Sequence, residues 1–218
     1  MSIIFDSLVA HSEKILNTLR DYGKEVDEDH GFSWPNHVFE SNTFRRAHLD
    51  VVDARETKRL YMMHLCIFPH TDDDGPIYGF DLISGPNKVT GAFHDFSPTT
   101  DPQHIMCKWF NVRVKNLQWS KPRELPEWAR NIFSKSMVAA GNINSLPELQ
   151  TIMDLSHESL IYYLKNIGQT SIIDSKAAQN YYCENQRKNP HTPKVMESLG
   201  IPPEDVKRFI SDCLFPSL

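Results

Sequence analysis

Cysteine is scarce and scattered in this chain. Its four cysteines, Cys66, Cys107, Cys183 and Cys213, make no Cys-X-X-Cys pair. That spacing argues against a zinc site and a disulfide scaffold, and suits a reducing cytoplasm. Neither a Walker loop nor a Gly-X-Gly-X-X-Gly turn is present, so a nucleotide or dinucleotide cofactor is unsupported. No apolar run is long enough to span a bilayer, and the N-terminus lacks a signal-peptide pattern. There is no internal repeat and no low-complexity segment. Positive charge is not in excess either. The formal net charge is −5 and the pI about 6.0, so neither nucleic acid nor an anionic membrane is the expected partner.

What is present is an ordinary globular pattern of 218 residues, long enough for a substantial core. Ser2 to Asp21 reads as an amphipathic helix, with Phe5, Leu8, Val9, Ile15, Leu16 and Leu19 on one face and Gly23 as a stop. Gly23 to Phe39 reads as a loop or irregular crossing. Strands follow at roughly 43–53, 60–68, 76–84, 88–96 and 105–112, with short turn-rich connections that predict an antiparallel meander. Beyond Pro122 the period changes. Glu124 to Met137, Leu146 to Ile167, Ser175 to Asn189 and Pro203 to Leu214 read as helices. Helix, meander, then helices predicts one α+β domain over 1–218, a three-layer α/β/α sandwich with a central antiparallel sheet.

Turn positions give the register. A turn centred on Asp72-Asp73 pairs His64 with Asp81, and a turn about Thr57 pairs His64 with Asp50. A turn centred between Gly85 and Pro86 pairs Asp81 with Thr90. Opposed residues share a face, so Asp50, His64, Asp81 and Thr90 are expected to form one polar row. A one-residue slip would break it. Packing does not need two carboxylates and an imidazole side by side, and burying unpaired charge is costly. A solvated carboxylate–imidazole cluster would accommodate the same residues. The flanks argue for a covered pocket: Met62, Cys66 and Phe68 share the face with His64, Ile83 shares it with Asp81, and Ala92 with Thr90. A histidine beside carboxylates in such a site is a proton donor with a tunable pKa.

The stretch Tyr181 to Thr192, YYCENQRKNPHT, sets Gln186, Arg187, Lys188 and Asn189 at a helix C-terminus. Basic residues there suit the helix dipole. The same residues would also supply amide and cationic donors to a carboxylated ligand.

The segments HLDV, MHLCIFPH, PIYGFDLISGPNKVTGAFHDFSP, LPEWARNIFS and YYCENQRKNPHT resemble the ferredoxin-dependent bilin reductases over about Phe44 to Phe215. Within that family the likeness is greatest to the phycocyanobilin-forming branch and the phage phycoerythrobilin-forming branch. The resemblance implies an α/β/α sandwich that holds biliverdin IXα between the sheet and the C-terminal helices. It implies no bound metal or organic cofactor, electrons from a reduced [2Fe-2S] ferredoxin, and protons from the protein. Asp81 in GFDL matches the family's proton-donating aspartate, and His64 its proton-relay histidine. Asp50 in HLDV matches a position where phycocyanobilin-forming members carry glutamate. Thr90 matches a hydroxyl residue that contacts a propionate. Gln186 and Asn189 match polar residues near the bilin. Two departures stand out. Asn189-Pro190-His191-Thr192 replaces a common Asn-Asp-Lys-Thr, and Ala140-Gly141 stands near the position of a propionate-binding arginine. Propionate anchoring then falls to Arg187, Lys188, His191 or Lys194.

The resemblance therefore implies reduction of biliverdin IXα, with phycoerythrobilin favoured over phycocyanobilin because Asp50 is shorter than glutamate. A bilin carrier without catalysis is the alternative. It implies a monomer that docks ferredoxin through a local basic patch, for which Lys121, Arg123, Lys188, Lys194, Lys207 and Arg208 are candidates. A compact chain of this type suits a viral or marine bacterial source.

Overall fold

Ser2 accepts the Phe5 N–H on its hydroxyl and opens helix α1 (Ile3–Tyr22), which buries Phe5, Leu8, Ile15 and Leu19 along one side. The computed structural model describes residues 2–28, 31–32 and 34–218. Among these, seven strands form one antiparallel sheet in chain order: β1 (Lys24–Val26), β2 (Asn36–Glu40), β3 (Arg46–Ala54), β4 (Leu60–Phe68), β5 (Ile77–Ser84), β6 (Val89–Ser97) and β7 (Val138–Ala140). Short turns join β2 through β6, and a single helical turn, α2 (Arg55–Lys58), links β3 to β4. The α+β expectation holds, as do the β3–β4–β5 pairings read from the turns.

Alternation along the strands separates two cores. One face carries Leu49, Met63, Leu65, Tyr78, Phe80, Leu82 and Phe96, packed under α1, α3 (Ile105–Val114) and α5 (Leu146–Asn166). The other carries Cys66, Phe68 and Ile77. Helix α6 (Lys176–Gln186) contributes Tyr182 and Cys183 to that side, and α7 (His191–Ser198) contributes Met196. The chain ends there in α8 (Pro203–Arg208) and a wide π-type turn, Phe209–Leu214.

Several expectations fail for identifiable reasons. The stretch 105–112 is helix α3, not a strand. Its β-formers Ile, Cys, Trp and Phe mislead, but Met106, Cys107, Phe110 and Val114 are the buried residues, at helical spacing. Gly23 to Phe39 contains β1 and β2. The first is too short to show a period and the second follows Pro35 directly. Residues 29, 30 and 33 of that stretch lie outside the described residues. Glu124 to Met137 forms only one turn, α4 (Glu127–Arg130), because Ser134 turns aside to bond Asp95. Helix α6 stops at Gln186, short of the expected Asn189, and Pro190 caps a further helix, α7, that the sequence pattern does not announce.

Strand β6 also departs from the expected pairing. Its register places Asp81 opposite Phe93, Leu82 opposite Ala92 and Ser84 opposite Val89, with an irregularity at Ile83/Ser84. Thr90 is therefore not in the row, and its hydroxyl donates to the Ile83 carbonyl (3.0 Å). Ala92 packs in the α1/α5 core instead of the opposite face. An odd displacement exchanges the two faces of a strand, and here it exchanges His94 and Asp95. His94 enters the aromatic core against Phe80 and Phe110. Asp95 turns to the other face.

Buried Asp73 in the β4–β5 turn accepts the Gly75 N–H (2.7 Å), the Gly168 N–H (2.6 Å) and the Gln169 N–H (2.9 Å). It clasps that turn to the end of α5. Gly168 sits at φ +95°, where an added Cβ would lie 2.9 Å from Thr43 Cα, so the approach requires glycine. Asp73→Ala is expected to lower the unfolding free energy by about 2–4 kcal/mol, since three amide donors lose a charged acceptor. Urea titration measures it; a change under about 0.5 kcal/mol would show that the clasp carries no load.

Candidate functional site

Strands β3, β4 and β5 bring Asp50, His64 and Asp81 directly opposite one another in consecutive pairs. Asp50 is buried, while His64 and Asp81 keep part of their surface, which opens into a cavity of about 340 Å³. The cavity floor is this row with Met62, Ile83 and Phe93. Its cover comes from Leu125, Trp128 and Phe133 around α4, Gln186 on α6, the start of α7, and Phe209 to Phe215 at the C-terminus. A largely apolar enclosure with a few convergent polar groups is how small-molecule sites are built.

Burial dominates the electrostatics of the row. It pushes the Asp50 carboxyl up to about 7; the Trp34 indole N–H, donated to Oδ1, opposes the rise and the nearby Asp81 charge adds to it. Burial also lifts Asp81 to about 7, against the Leu82 backbone N–H. The same loss of water lowers His64 to about 4. Because the neighbouring carboxyls are themselves partly protonated near neutrality, no full anion restores the imidazolium. Burial thus favours the neutral imidazole at His64 in the free protein. Its ring stands edge-on to Phe215, with centroids 5.6 Å apart, and Nδ1 has no hydrogen-bond partner among the described residues.

The remaining expected residues fall into two groups. Thr90, Gln186, Asn189 and His191 all line the cavity. Gln186 donates to the Tyr182 hydroxyl (2.7 Å), and Asn189 accepts the His191 N–H (2.9 Å) in the turn before α7. Arg187 does not line it. Its Nε donates to the Phe215 carbonyl (3.1 Å) and its Nη2 to the Ser217 hydroxyl (2.8 Å). The guanidinium ties down the C-terminal segment that places Phe215 over His64. Lys121, Arg123, Lys188, Lys194, Lys207 and Arg208 are all exposed, and of these only Arg123 reaches the cavity.

Three contributors escape a sequence reading. Trp34 lies in a stretch without periodicity. Phe215 is one apolar residue in a tail. Asp95 reaches the cavity side only through the offset β6 register, which turn counting does not show. Asp95 is buried and accepts from the Ser134 N–H (2.8 Å), the Ser134 hydroxyl and the Ser97 hydroxyl (2.8 Å). Burial raises it to about 6 against those bonds. With three donors fixed on it, Asp95 holds the loop that carries Phe133 over the cavity.

Comparison with known proteins finds relatives over most of the chain. The family model for ferredoxin-dependent bilin reductase matches residues 11–216. Phycocyanobilin:ferredoxin oxidoreductase from Synechococcus sp. is 31% identical over 171 residues, spanning 74% of this chain and 67% of that protein. The enzyme of the same name from Trichodesmium erythraeum is 27% identical over 191 residues, spanning 84% and 76%. The solved structure of PcyX superposes with a TM-score of 0.71 at 36% identity, covering 97% of this chain and 99% of that one. Phytochromobilin synthase from tomato, solved in complex with biliverdin, shares the fold at TM-score 0.68 and 14% identity, covering 97% and 82%. With the match spanning nearly its whole length, the chain belongs to the ferredoxin-dependent bilin reductase family.

Proposed function

We propose that this oxidoreductase reduces biliverdin IXα to phycoerythrobilin through 15,16-dihydrobiliverdin. The observation that carries the reading is the directly opposed Asp50, His64 and Asp81 on the floor of an apolar, covered cavity. Each of the two reductions adds two electrons and two protons across a conjugated carbon–carbon system. The electrons arrive singly from a reduced [2Fe-2S] ferredoxin, so no resident cofactor is invoked. The protons come from the row. Protonating the bilin makes it a better electron acceptor, and a carboxyl raised to about 7 by burial holds a transferable proton near neutrality. Asp81, central between His64 and Phe93, is the first donor; His64 and Asp50 resupply it. Thr90, Gln186, Asn189 and His191 supply the polar contacts to the bilin's edge. The chain acts as a monomer, and the exposed basic side chains offer an acidic ferredoxin its docking surface.

Asp81→Asn should still bind biliverdin and stall after the first electron, leaving a long-lived radical visible by absorbance and electron paramagnetic resonance. Normal turnover by the variant removes Asp81 from the donor role. Binding of biliverdin by the wild-type protein without turnover under reduced ferredoxin would favour a carrier instead.

The pH dependence has a definite sign. A donor carboxyl raised to about 7 is protonated below that value and ionised above it. With chemically reduced ferredoxin in excess, the single-turnover rate of the first protonation should be flat in mild acid. It should fall about tenfold per pH unit above roughly 8. A rate unchanged from pH 6 to 9 contradicts carboxyl donors.

The product choice rests on reach. Asp50 is one methylene shorter than the glutamate of phycocyanobilin-forming members, a deficit of about 1.5 Å. Its carboxyl is also held by Trp34. Proton delivery needs hydrogen-bond reach, so reduction of the D-ring vinyl is the step that fails. Chromatography against authentic standards should give phycoerythrobilin as the main product; a dominant phycocyanobilin peak shows that Asp50 reaches far enough.

A further inference from the structure

We propose that Arg123 is the carboxylate anchor of the cavity, its guanidinium pairing with a propionate of the bilin at the mouth. This rests on the bilin reading of the cavity given above. Arg123 precedes α4, and its position is fixed by backbone bonds to β7 and the residue after it. Its N–H donates to the Ala139 carbonyl (2.9 Å), and the Gly141 N–H donates to the Lys121 carbonyl (2.9 Å). The side chain then crosses the sheet edge through a notch made by two glycines. A Cβ on Gly141 would lie 2.4 Å from Arg123 Nε and 3.1 Å from Nη2, and one on Gly91 would lie 3.9 Å from Nη1. Neither glycine has a positive φ, so left-handed backbone is not the reason for glycine at either place. Room for the arginine is the reason at Gly141, where a side chain would displace the guanidinium.

Beyond the notch the guanidinium carbon stands 5.8 Å from the centre of the Phe93 ring, and Nη2 donates to the Thr90 carbonyl. These two contacts orient the planar group. No carboxylate lies within ion-pair distance of it among the described residues, and Nη1 has no acceptor there. Arg123 is the one lysine or arginine among the residues lining the cavity, whose other ionisable members include Asp50, Asp81, Asp95 and Glu124. A dianionic ligand entering a cavity so rich in carboxyls needs a fixed cation. A guanidinium with a free edge is the group that meets a carboxylate with paired hydrogen bonds. Arg187 is unavailable, because the C-terminal segment occupies it.

The test titrates wild-type, Arg123→Gln and Gly141→Ala proteins with biliverdin and with biliverdin dimethyl ester, following the bilin absorbance. Circular dichroism confirms that all three are folded. Wild type should favour the free acid. Arg123→Gln should bind the acid about 10- to 100-fold more weakly, as expected for losing charged hydrogen bonds, and bind the ester as wild type does. Gly141→Ala keeps the arginine but moves it, and should lose part of the same preference. Equal weakening of acid and ester in Arg123→Gln, or no weakening of either, overturns the anchor while leaving the bilin site standing. A wild-type protein that binds neither compound overturns the bilin reading itself, and the anchor with it.

Discussion

Removing Asp50, His64 and Asp81 from bulk water moves all three toward their neutral forms: the carboxyls up to about 7, the imidazole down to about 4. Much of the rest of the structure can be understood as keeping water away from that row. The cost of burying three titratable groups is bearable because none need carry full charge at neutral pH. It is also what makes the carboxyls useful, since a proton held near pH 7 can be given up without a large penalty. Exposed on an ordinary surface, both carboxyls would be ionised near pH 7, and of the three groups only the imidazole would hold a transferable proton in that range.

Two clasps maintain the cover. Arg187 holds Phe215 by its carbonyl, and Phe215 stands edge-on over His64. Asp95 holds Ser134, next to Phe133 in the cover. Each uses an ionisable group to fix backbone, and neither adds a proton donor directed at the row. Three carboxyls facing the same side of the sheet, Asp50 and Asp95 buried and Asp81 partly so, thus differ in hydrogen-bond count. Asp95 accepts three and is satisfied, whereas Asp50 has one side-chain donor in Trp34, and Asp81 has only the Leu82 N–H opposing its rise.

How much of this is legible in the sequence follows from how local the determinants are. The turns about Thr57 and Asp72-Asp73 are symmetric, so the Asp50–His64–Asp81 pairing can be read by counting. The turn at Gly85 is followed by an irregularity that counting cannot see, and its odd offset moves Thr90, Ala92, His94 and Asp95 together. Helices α1 and α5 declare themselves because a serine caps each and one face of each is apolar. Helix α3 does not, since its apolar residues are also good strand formers. The cavity cover is the least legible part. Phe133 and Phe215 come from segments far apart in the chain, brought together only by the tertiary fold, and Trp34, which bonds Asp50, lies in a stretch without periodicity.

The β6 irregularity also shapes the cavity mouth. A regular hairpin would have placed Thr90 beside Asp81 and turned His94 into the cavity. The displaced strand instead sets Phe93 opposite Asp81 and directs Asp95 to the same side. It leaves the Thr90 carbonyl as an acceptor for Arg123, and Phe93 gives that guanidinium an aromatic face to lie near. Gly91, paired with Ile83 where the register shifts, opens the space beside it. One departure from regular pairing thus connects three otherwise separate features: an aromatic neighbour for the central aspartate, an anchor for the cover, and a seat for the cavity's lone arginine. Bulges recur beside active sites because they redirect side chains without interrupting the sheet. Here the redirected side chains lie around the Asp50–His64–Asp81 row, so the mouth is built on the same strands that set the row's geometry.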